Sequence, residues 1–507
     1  MEQPPAPRRL AQAVRLWLRA SFTLDVRGLA AFRCLLGVVL VADCLLRARD
    51  FGLMFTPDGI FPPDLIRSFH GTPAKWSLAF LSAGPWCGGL VLATEGVAGA
   101  LLALGCWTRL ATVVAWVATA SVVQRTVPAT NAGDLWLVCL LFWSMFLPLG
   151  AAWSMDARRR NPACGPPATA VCSIATAALV LQVATVYFGA GLAKCNATWF
   201  SGEALAHALS VHDHGRPLGM LIGGVSWLSV LLTWTVLGVE LVAPILLVAC
   251  PTLAVRTALV AVFGLLHIAI WATMSVGLFA WVGITAWLPL VPGPVWDALV
   301  RRPTTAPVAC VARLGRAASL ACGGAILLAG LSFAHFRGWL GAAALPRPVA
   351  AAIAACCLEQ EWSMFGAVPL QVQWVYGRGL LADGRVVDLL RGGRPLERER
   401  PVGGFGSLPS HRWHKFFWIL PRPRVRVFAE PTAAALANDW NARHTEREQV
   451  RSLEIRYAVQ GTTAADAPLQ DMLVAAWPPR DGDGQGNLDR LLESASVDPA
   501  GDDPRTP

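Results

Sequence analysis

Long apolar runs separated by short, arginine-bearing polar stretches make up the first two thirds of the chain. Nine runs approach the ~20 residues a helix needs to cross a bilayer. They lie at about 28–46, 86–105, 109–127, 133–151, 168–192, 225–249, 256–275, 277–292 and 317–335. The eighth is short, and the boundary between the seventh and eighth is poorly marked. No small-residue cleavage site follows a short apolar core, so the first run reads as an anchor, not a cleaved leader. From residue 336 the periodicity changes. Val368–Tyr376 and Val450–Val459 are strand-like, Val386–Leu390 follows an Asp383-Gly384 turn, Pro423–Ala429 alternates apolar with basic, and Thr432–Arg443 is helical in character. The Gly/Asp/Pro-rich end from Pro478 reads as disordered.

The expected fold is an α-helical polytopic membrane protein of about nine transmembrane helices with a small C-terminal extramembrane α+β domain. The divisions are 1–27, a basic cytoplasmic N-terminus; 28–335, the transmembrane domain; 336–477, an extracytoplasmic α+β domain; and 478–507, the tail. No internal repeat is visible.

Composition sharpens this reading. The 507 residues are 55% hydrophobic and only 15% charged, against about 25% charged in soluble chains, and the mean hydropathy is +0.49. A disordered chain, a coiled coil and an ordinary cytosolic enzyme are excluded. The net charge of +9 is assigned to topology-fixing loops and not to a nucleic-acid partner. With the N-terminus cytoplasmic, Arg8, Arg9, Arg15, Arg19 and Arg27 lie inside. So do Arg109, Arg158, Arg159, Arg160, Arg301, Arg302, Arg313 and Arg316. The short outer loops hold only Arg47, Arg49, Arg67, Lys75 and Arg216. The bias sets the N-terminus inside and the C-terminal domain outside. The 13 cysteines include no CxxC pair; Cys87, Cys356 and Cys357 are expected outside the membrane, where one disulfide is allowed.

Ionisable residues inside apolar runs are costly in lipid and face the bundle interior. Arg33 and Asp43 in the first run, Glu240 in the sixth and His267 in the seventh are of this kind. Each is read either as a bundle-holding pair or as part of a site. Lys194 stands out because only three of the 42 basic residues are lysine. It ends the fifth run after Tyr187-Phe188-Gly189-Ala190-Gly191 and precedes Trp199. The small residues allow close approach of a helix or ligand. A lysine withdrawn from water is a competent general base; the alternative is a lysine snorkelling at the membrane edge. Asn131-Ala132-Gly133-Asp134 marks an outer turn, from which Asp134 could face the cavity of Lys194. His207, His212 and His214 beside Asp213 have metal-like spacing, but with no second cluster they read as a solvated loop and no metal is expected. Trp86, Trp107, Trp153 and Trp199 fall near run ends, where indole favours the interface. No phosphate-binding or hydrolase motif stands in a suitable context.

Together these residues resemble the horizontally transferred transmembrane (HTTM) family, which includes vitamin K-dependent gamma-carboxylase. The matching stretches are Phe32-Arg33 with Leu36-Gly37, Asp58-Gly59-Ile60-Phe61-Pro62, Asn131 to Asp134, and Phe146-Leu147-Pro148-Leu149-Gly150 through Trp153 to Asp156. Tyr187-Phe188 with Ala190-Gly191, Lys194 and Trp199 follow, then His267 with Gly277 and Phe279. The similarity spans about residues 20–300. In the C-terminal part, Glu361-Trp362-Ser363-Met364-Phe365, Gly384 to Leu389, Arg412-Trp413 and Trp440-Asn441 are similar to bacterial members.

The resemblance implies a quinone epoxidase coupled to a carboxylase in a bacterial inner membrane, with a reduced vitamin K-like quinone, O2 and CO2 as co-substrates. It implies Lys194 as the base, with His267 matching a histidine in the equivalent span. In that chemistry a reduced quinone loses a proton to the lysine and reacts with oxygen. The strong base so formed takes a glutamate γ-proton, and carbon dioxide adds. Asn131, Asp134, Tyr187, Trp199, Arg33 and Glu240 are the expected substrate-binding groups. The partners implied are membrane lipid or quinone and a secreted protein or peptide. The sequence departs from the carboxylase in having Ala132 where a histidine follows the turn asparagine, and in a shorter outer domain. A non-catalytic membrane factor for maturation or export of a secreted partner is the alternative; a transporter would need broken helices or inverted repeats, and neither is clear.

Overall fold

The computed structural model describes residues 6–479 apart from 83, 160–168, 212–213, 301–313, 342–343, 369–370, 402–406 and 462–468. His212, Asp213, Arg160, Arg301, Arg302, Arg313 and nearly all of the tail lie outside the described residues.

Helix α1 (Ala6–Phe22) is followed by a short strand β1 (Thr23–Asp25), then by α2 (Val26–Arg49), α3 (Pro85–Leu104), α4 (Thr108–Arg125) and α5 (Ala132–Ser144). Strand β2 (Ala170–Cys172) pairs antiparallel with β1. It leads into α6 (Ile174–Ala193), α7 (Ser226–Ala249), α8 (Leu253–Thr273), α9 (Phe279–Trp287), α10 (Gly293–Val300) and α11 (Arg316–Phe336). Every expected apolar run is helical, but the count of nine spans is not reached. Among the described residues, α2, α3, α6, α7, α8 and α11 are long and apolar enough to cross a membrane. A seventh span results if Phe279–Leu290 and Gly293–Val300 count as one, although they bend by 101°. Helix α4 is diluted by Thr108, Thr112, Thr119, Ser121, Gln124 and Arg125. The 13 residues of α5 reach only about 20 Å at 1.5 Å per residue, short of a ~30 Å hydrocarbon core.

Helix packing uses small residues as expected. A Cβ at Gly37 on α2 would meet the Gly99 carbonyl oxygen of α3 at 2.4 Å, so these backbones touch only because no side chain intervenes. At one end of the bundle, Trp17 and Ser21 of α1 both donate to the Val248 carbonyl at the end of α7. At the other end sits the C-terminal part.

That part contains α12 (Arg347–Cys356), β3 (Gln371–Leu381), β4 (Val386–Asp388), β5 (Arg394–Pro395), α13 (His411–Ile419), α14 (Ala429–Arg443), β6 (Val450–Gly461) and β7 (Gln470–Trp477). The strands form one antiparallel sheet in the order β5-β4-β3-β6-β7. The β3–β4 hairpin turns at Gly384, whose φ of 87° suits glycine. Pro423–Ala429 is no strand: Arg426–Phe428 is a helical turn leading into α14. Strand β7 and helix α13 have no clear periodic signal in the sequence. The sheet shares one core with the segment after α2: Phe61 packs edge-on against Phe416 and Phe428. The same segment explains the Asp58–Pro62 motif. A Cβ at Gly59 would meet the Leu53 carbonyl oxygen at 2.3 Å, and Arg125 donates to the carbonyls of Phe61 and Phe55. Cys87, Cys356 and Cys357 are free thiols, so no disulfide joins them.

Candidate functional site

Lys194 is the C-cap of α6, with its side chain 3% exposed. Its Nζ lies 2.7 Å from Glu240 of α7, donates to the Met364 carbonyl at 2.8 Å and sits 5.2 Å from the centre of a Trp199 ring. Close approach of α6 and α7 depends on Gly191, where a Cβ would lie 3.1 Å from the Glu240 carbonyl carbon. Trp199, unlike Trp86, Trp107 and Trp153, is not an interface indole: those three are exposed and Trp199 is buried. Lys194 does not snorkel to the membrane edge; it is held by a carboxylate, a carbonyl and an indole face.

A strap from the C-terminal part closes this end of α6. Gln360 bonds Gln182, and Arg337 donates to the Trp362 carbonyl. The carbonyls of Met364, Phe365 and Gly366 accept from Lys194, Trp199 and Asn196. Leu358 and Trp362 join the core of the helix bundle. The Glu361–Phe365 motif thus caps the bundle, while the sheet begins only at Gln371.

Two turns before Lys194 on the same helix, Tyr187 meets His267. The hydroxyl of Tyr187 is 2.5 Å from His267 Nε2 and accepts from Trp287 Nε1 at 2.9 Å. With Trp287 donating to the phenol oxygen, the phenol proton points at Nε2. His267 Nδ1 is buried and without a hydrogen-bond partner among the described residues. Room for the imidazole comes from α9, where a Cβ at Gly283 would lie 2.1 Å from the ring.

Asn131 and Asp134 do not join Lys194. Asn131 accepts from the Gly133 and Asp134 amides and receives the Asp134 carboxylate at its own N–H, a capping box that starts α5. Asp134 is sealed by guanidinium groups. Arg412 of α13 donates to both its oxygens at 2.9 Å, and Arg47 donates at 3.0 Å. Asp43 completes the cluster, paired with Arg47 at 2.7 Å and Arg412 at 2.5 Å. Two carboxylates and two guanidinium groups cancel, so Asp134 serves to anchor α13 and does not face the cavity of Lys194. Arg33 lies elsewhere, donating to the carbonyls of Leu102, Ala103 and Trp153. It ties α2 to the C-terminal end of α3 and to the loop at Trp153. The sequence-predicted residues therefore fall into three groups: Lys194, Glu240 and Trp199 with Tyr187 and His267 on adjoining turns; Asn131 with Asp134; and Arg33 alone.

Sequence reasoning overlooked Glu95. It sits in the middle of α3, fully buried, and neither carboxylate oxygen has a hydrogen-bond partner among the described residues; a lone glutamate in an apolar run was the available signal. Cavities of about 720 Å³, beside Trp107 and Asp156, and about 340 Å³, between Phe188 and Pro244, lie away from Lys194, Glu240 and His267.

A family model described as the HTTM domain matches residues 23–296, more than half of the chain. The chain belongs to the HTTM family. This is a membrane-protein family related to gamma-carboxylase, and the matched region holds Lys194, Glu240, Tyr187 and His267. The strap and the sheet fall outside it. No curated protein and no solved structure matches the chain significantly.

Proposed function

We propose that this HTTM protein is a gamma-carboxylase-like membrane enzyme in which Lys194 is the base toward a reduced lipid quinone. The observation that carries the reading is the buried Lys194–Glu240 pair. An amine and a carboxylate this close hold their shared proton on either partner. Where water is scarce, the charged arrangement loses much of its usual advantage. With the proton on Glu240, Nζ presents a lone pair and is a general base. The Met364 carbonyl and the Trp199 face fix the position of Nζ, which replaces a search by a fixed geometry.

A flat apolar ring bearing a hydroxyl group matches in character the aromatic cluster of Tyr187, Phe263, Trp287 and Trp136 two turns along α6 from Lys194, where His267 Nδ1 has no hydrogen-bond partner among the described residues. A reduced quinone supplies an ionisable hydroxyl and the electrons for reaction with oxygen. Lys194 takes the hydroxyl proton and becomes an ammonium that balances the quinone anion, and the dry aromatic wall keeps water from quenching a strong base. In this reading the second half-reaction adds carbon dioxide to a glutamate of a secreted protein or peptide. The N-terminus is cytoplasmic, and the sheet lies outside a bacterial inner membrane.

The test is epoxide formation by the full chain in nanodiscs with oxygen, carbon dioxide and reduced menaquinone or ubiquinone. Epoxide from wild type and none from Lys194→Met supports the reading. Activity untouched in Lys194→Met sinks it. No epoxide from folded wild type transfers the weight to a non-catalytic maturation or export factor, to be pursued by pull-down of secreted partners.

A further inference from the structure

Three histidines from distant parts of the chain converge at the junction between the helix bundle and the C-terminal part. His411 and His414 stand three residues apart on α13 and so project from one face. His214 comes from the loop between α6 and α7. Each offers a ring nitrogen, and the three nitrogens lie within 4.8 Å of one another. The ring centres of His214 and His414 are 4.2 Å apart; those of His411 are 6.0 Å and 5.7 Å from them.

We infer that His214, His411 and His414 form a binding site for a divalent first-row transition metal ion of the zinc type. The donor set decides the class. Three imidazoles with no carboxylate among them suit zinc, copper or nickel and not calcium or magnesium. Bonds of about 2.0–2.1 Å at tetrahedral angles bring the nitrogens to about 3.3 Å from each other, which small ring rotations achieve from the present spacing. Two further observations fit. Nδ1 of His411 is buried with no hydrogen-bond partner among the described residues. Nδ1 of His214 lies 3.4 Å from the Ser275 carbonyl, the kind of support that orients a ligating imidazole through its other nitrogen. Of the nearby cations, one is neutralised by carboxylates and two are turned onto indole rings. Arg412 is spent on Asp43 and Asp134; Arg216 lies over Trp271 and Lys415 over Trp418.

The position gives the ion a task. His214 packs on Phe365 at 5.6 Å, and the Phe365 carbonyl holds the indole that covers Lys194. A Cβ at Gly277 would touch the His411 ring at 3.1 Å, so the loop before α9 also closes on the site. An ion here ties α13, the His214 loop and the strap residue Phe365 into one unit. The inference does not depend on the quinone chemistry proposed above.

The experiment uses the full chain in detergent without a polyhistidine tag, stripped with chelator and titrated with Co2+ and with Zn2+. Expected are one ion per chain by elemental analysis, the visible absorption of four-coordinate Co2+, and a rise in melting temperature with Zn2+. His214→Ala, His411→Ala and His414→Ala each lower affinity at least about 100-fold, whereas His207→Ala leaves it unchanged; His414→Gln serves where alanine does not fold. No bound ion and no thermal shift in wild type overturn the site. So does unchanged binding in folded variants lacking two of the three histidines.

Discussion

Lys194 and Glu240 face each other across α6 and α7 at 2.7 Å, both buried. Removing one partner of such a pair strands the other's charge, which costs about 3–5 kcal/mol. Glu240→Gln is therefore expected to destabilise the protein by about that amount, and Lys194→Met likewise. The double variant is expected to recover most of the loss, because nothing charged is left behind. A double-mutant cycle of unfolding in detergent reads this directly. Additive losses in the double variant contradict the pairing. If the proposed chemistry holds, Glu240→Gln also slows epoxide formation by about 100-fold or more.

Arg412 anchors α13 to the bundle through Asp43 and Asp134. Arg412→Met leaves two buried carboxylates sharing Arg47. We expect a loss of about 3–5 kcal/mol and faster proteolysis of the chain near α13. Arg412→Lys rescues only in part, since an ammonium cannot bridge both oxygens of Asp134 while also reaching Asp43. Equal protease half-lives for wild type and Arg412→Met would count against the anchoring role.

These two clusters show how far residue patterns carry. The apolar runs marked the long helices of the bundle but not α1 or α10, and the rarity of lysine singled out Lys194. Partners across helices were not legible: Glu240 and Lys194 were each conspicuous, but nothing in one-dimensional spacing set them face to face. Asp134 is the clearest case. Its neighbours in sequence read as a turn and prove to be the capped first turn of α5, while its charge partner Arg412 lies 278 residues away. The same distance in sequence hid the histidine cluster, because His411 and His414 sit on a nine-residue helix with no strong apolar period. Span counting failed where hydrophobicity was shared: α4 and α5 lie among other helices, so polar side chains and short length are tolerated there.

Gly283 and Tyr187 act together on His267. A methyl at position 283 would overlap the imidazole ring, so Gly283→Ala is expected to cost about 1–3 kcal/mol by overpacking and to displace His267. Tyr187→Phe leaves Trp287 Nε1 and His267 Nε2 without their shared oxygen, costing about 1–3 kcal/mol. Because both changes break one contact, the losses should be less than additive when combined. Melting of the two single variants and the pair checks this; a strictly additive sum separates the two residues.

Glu361 on the strap gives a pH signature. Burial, then the neighbouring carboxylate of Glu359, pushes its carboxyl from 4.5 up to about 7, against the opposing pull of Lys75 and Arg424. Between those values the folded chain holds a proton that the unfolded chain has released. The contribution is therefore fully present below about pH 4.5 and is lost as pH rises through about 7. Other groups titrate over the same range, so the difference between wild type and Glu361→Gln isolates this one. The glutamine variant should match wild type near pH 4.5 and gain on it steadily up to pH 7. Above that the advantage should level off at about 3–4 kcal/mol, because each tenfold change in an ionisation constant is worth about 1.4 kcal/mol. Melting temperatures of both proteins at pH 5, 6, 7 and 8 measure the gain, and parallel curves would show that Glu361 is ionised in the folded chain throughout.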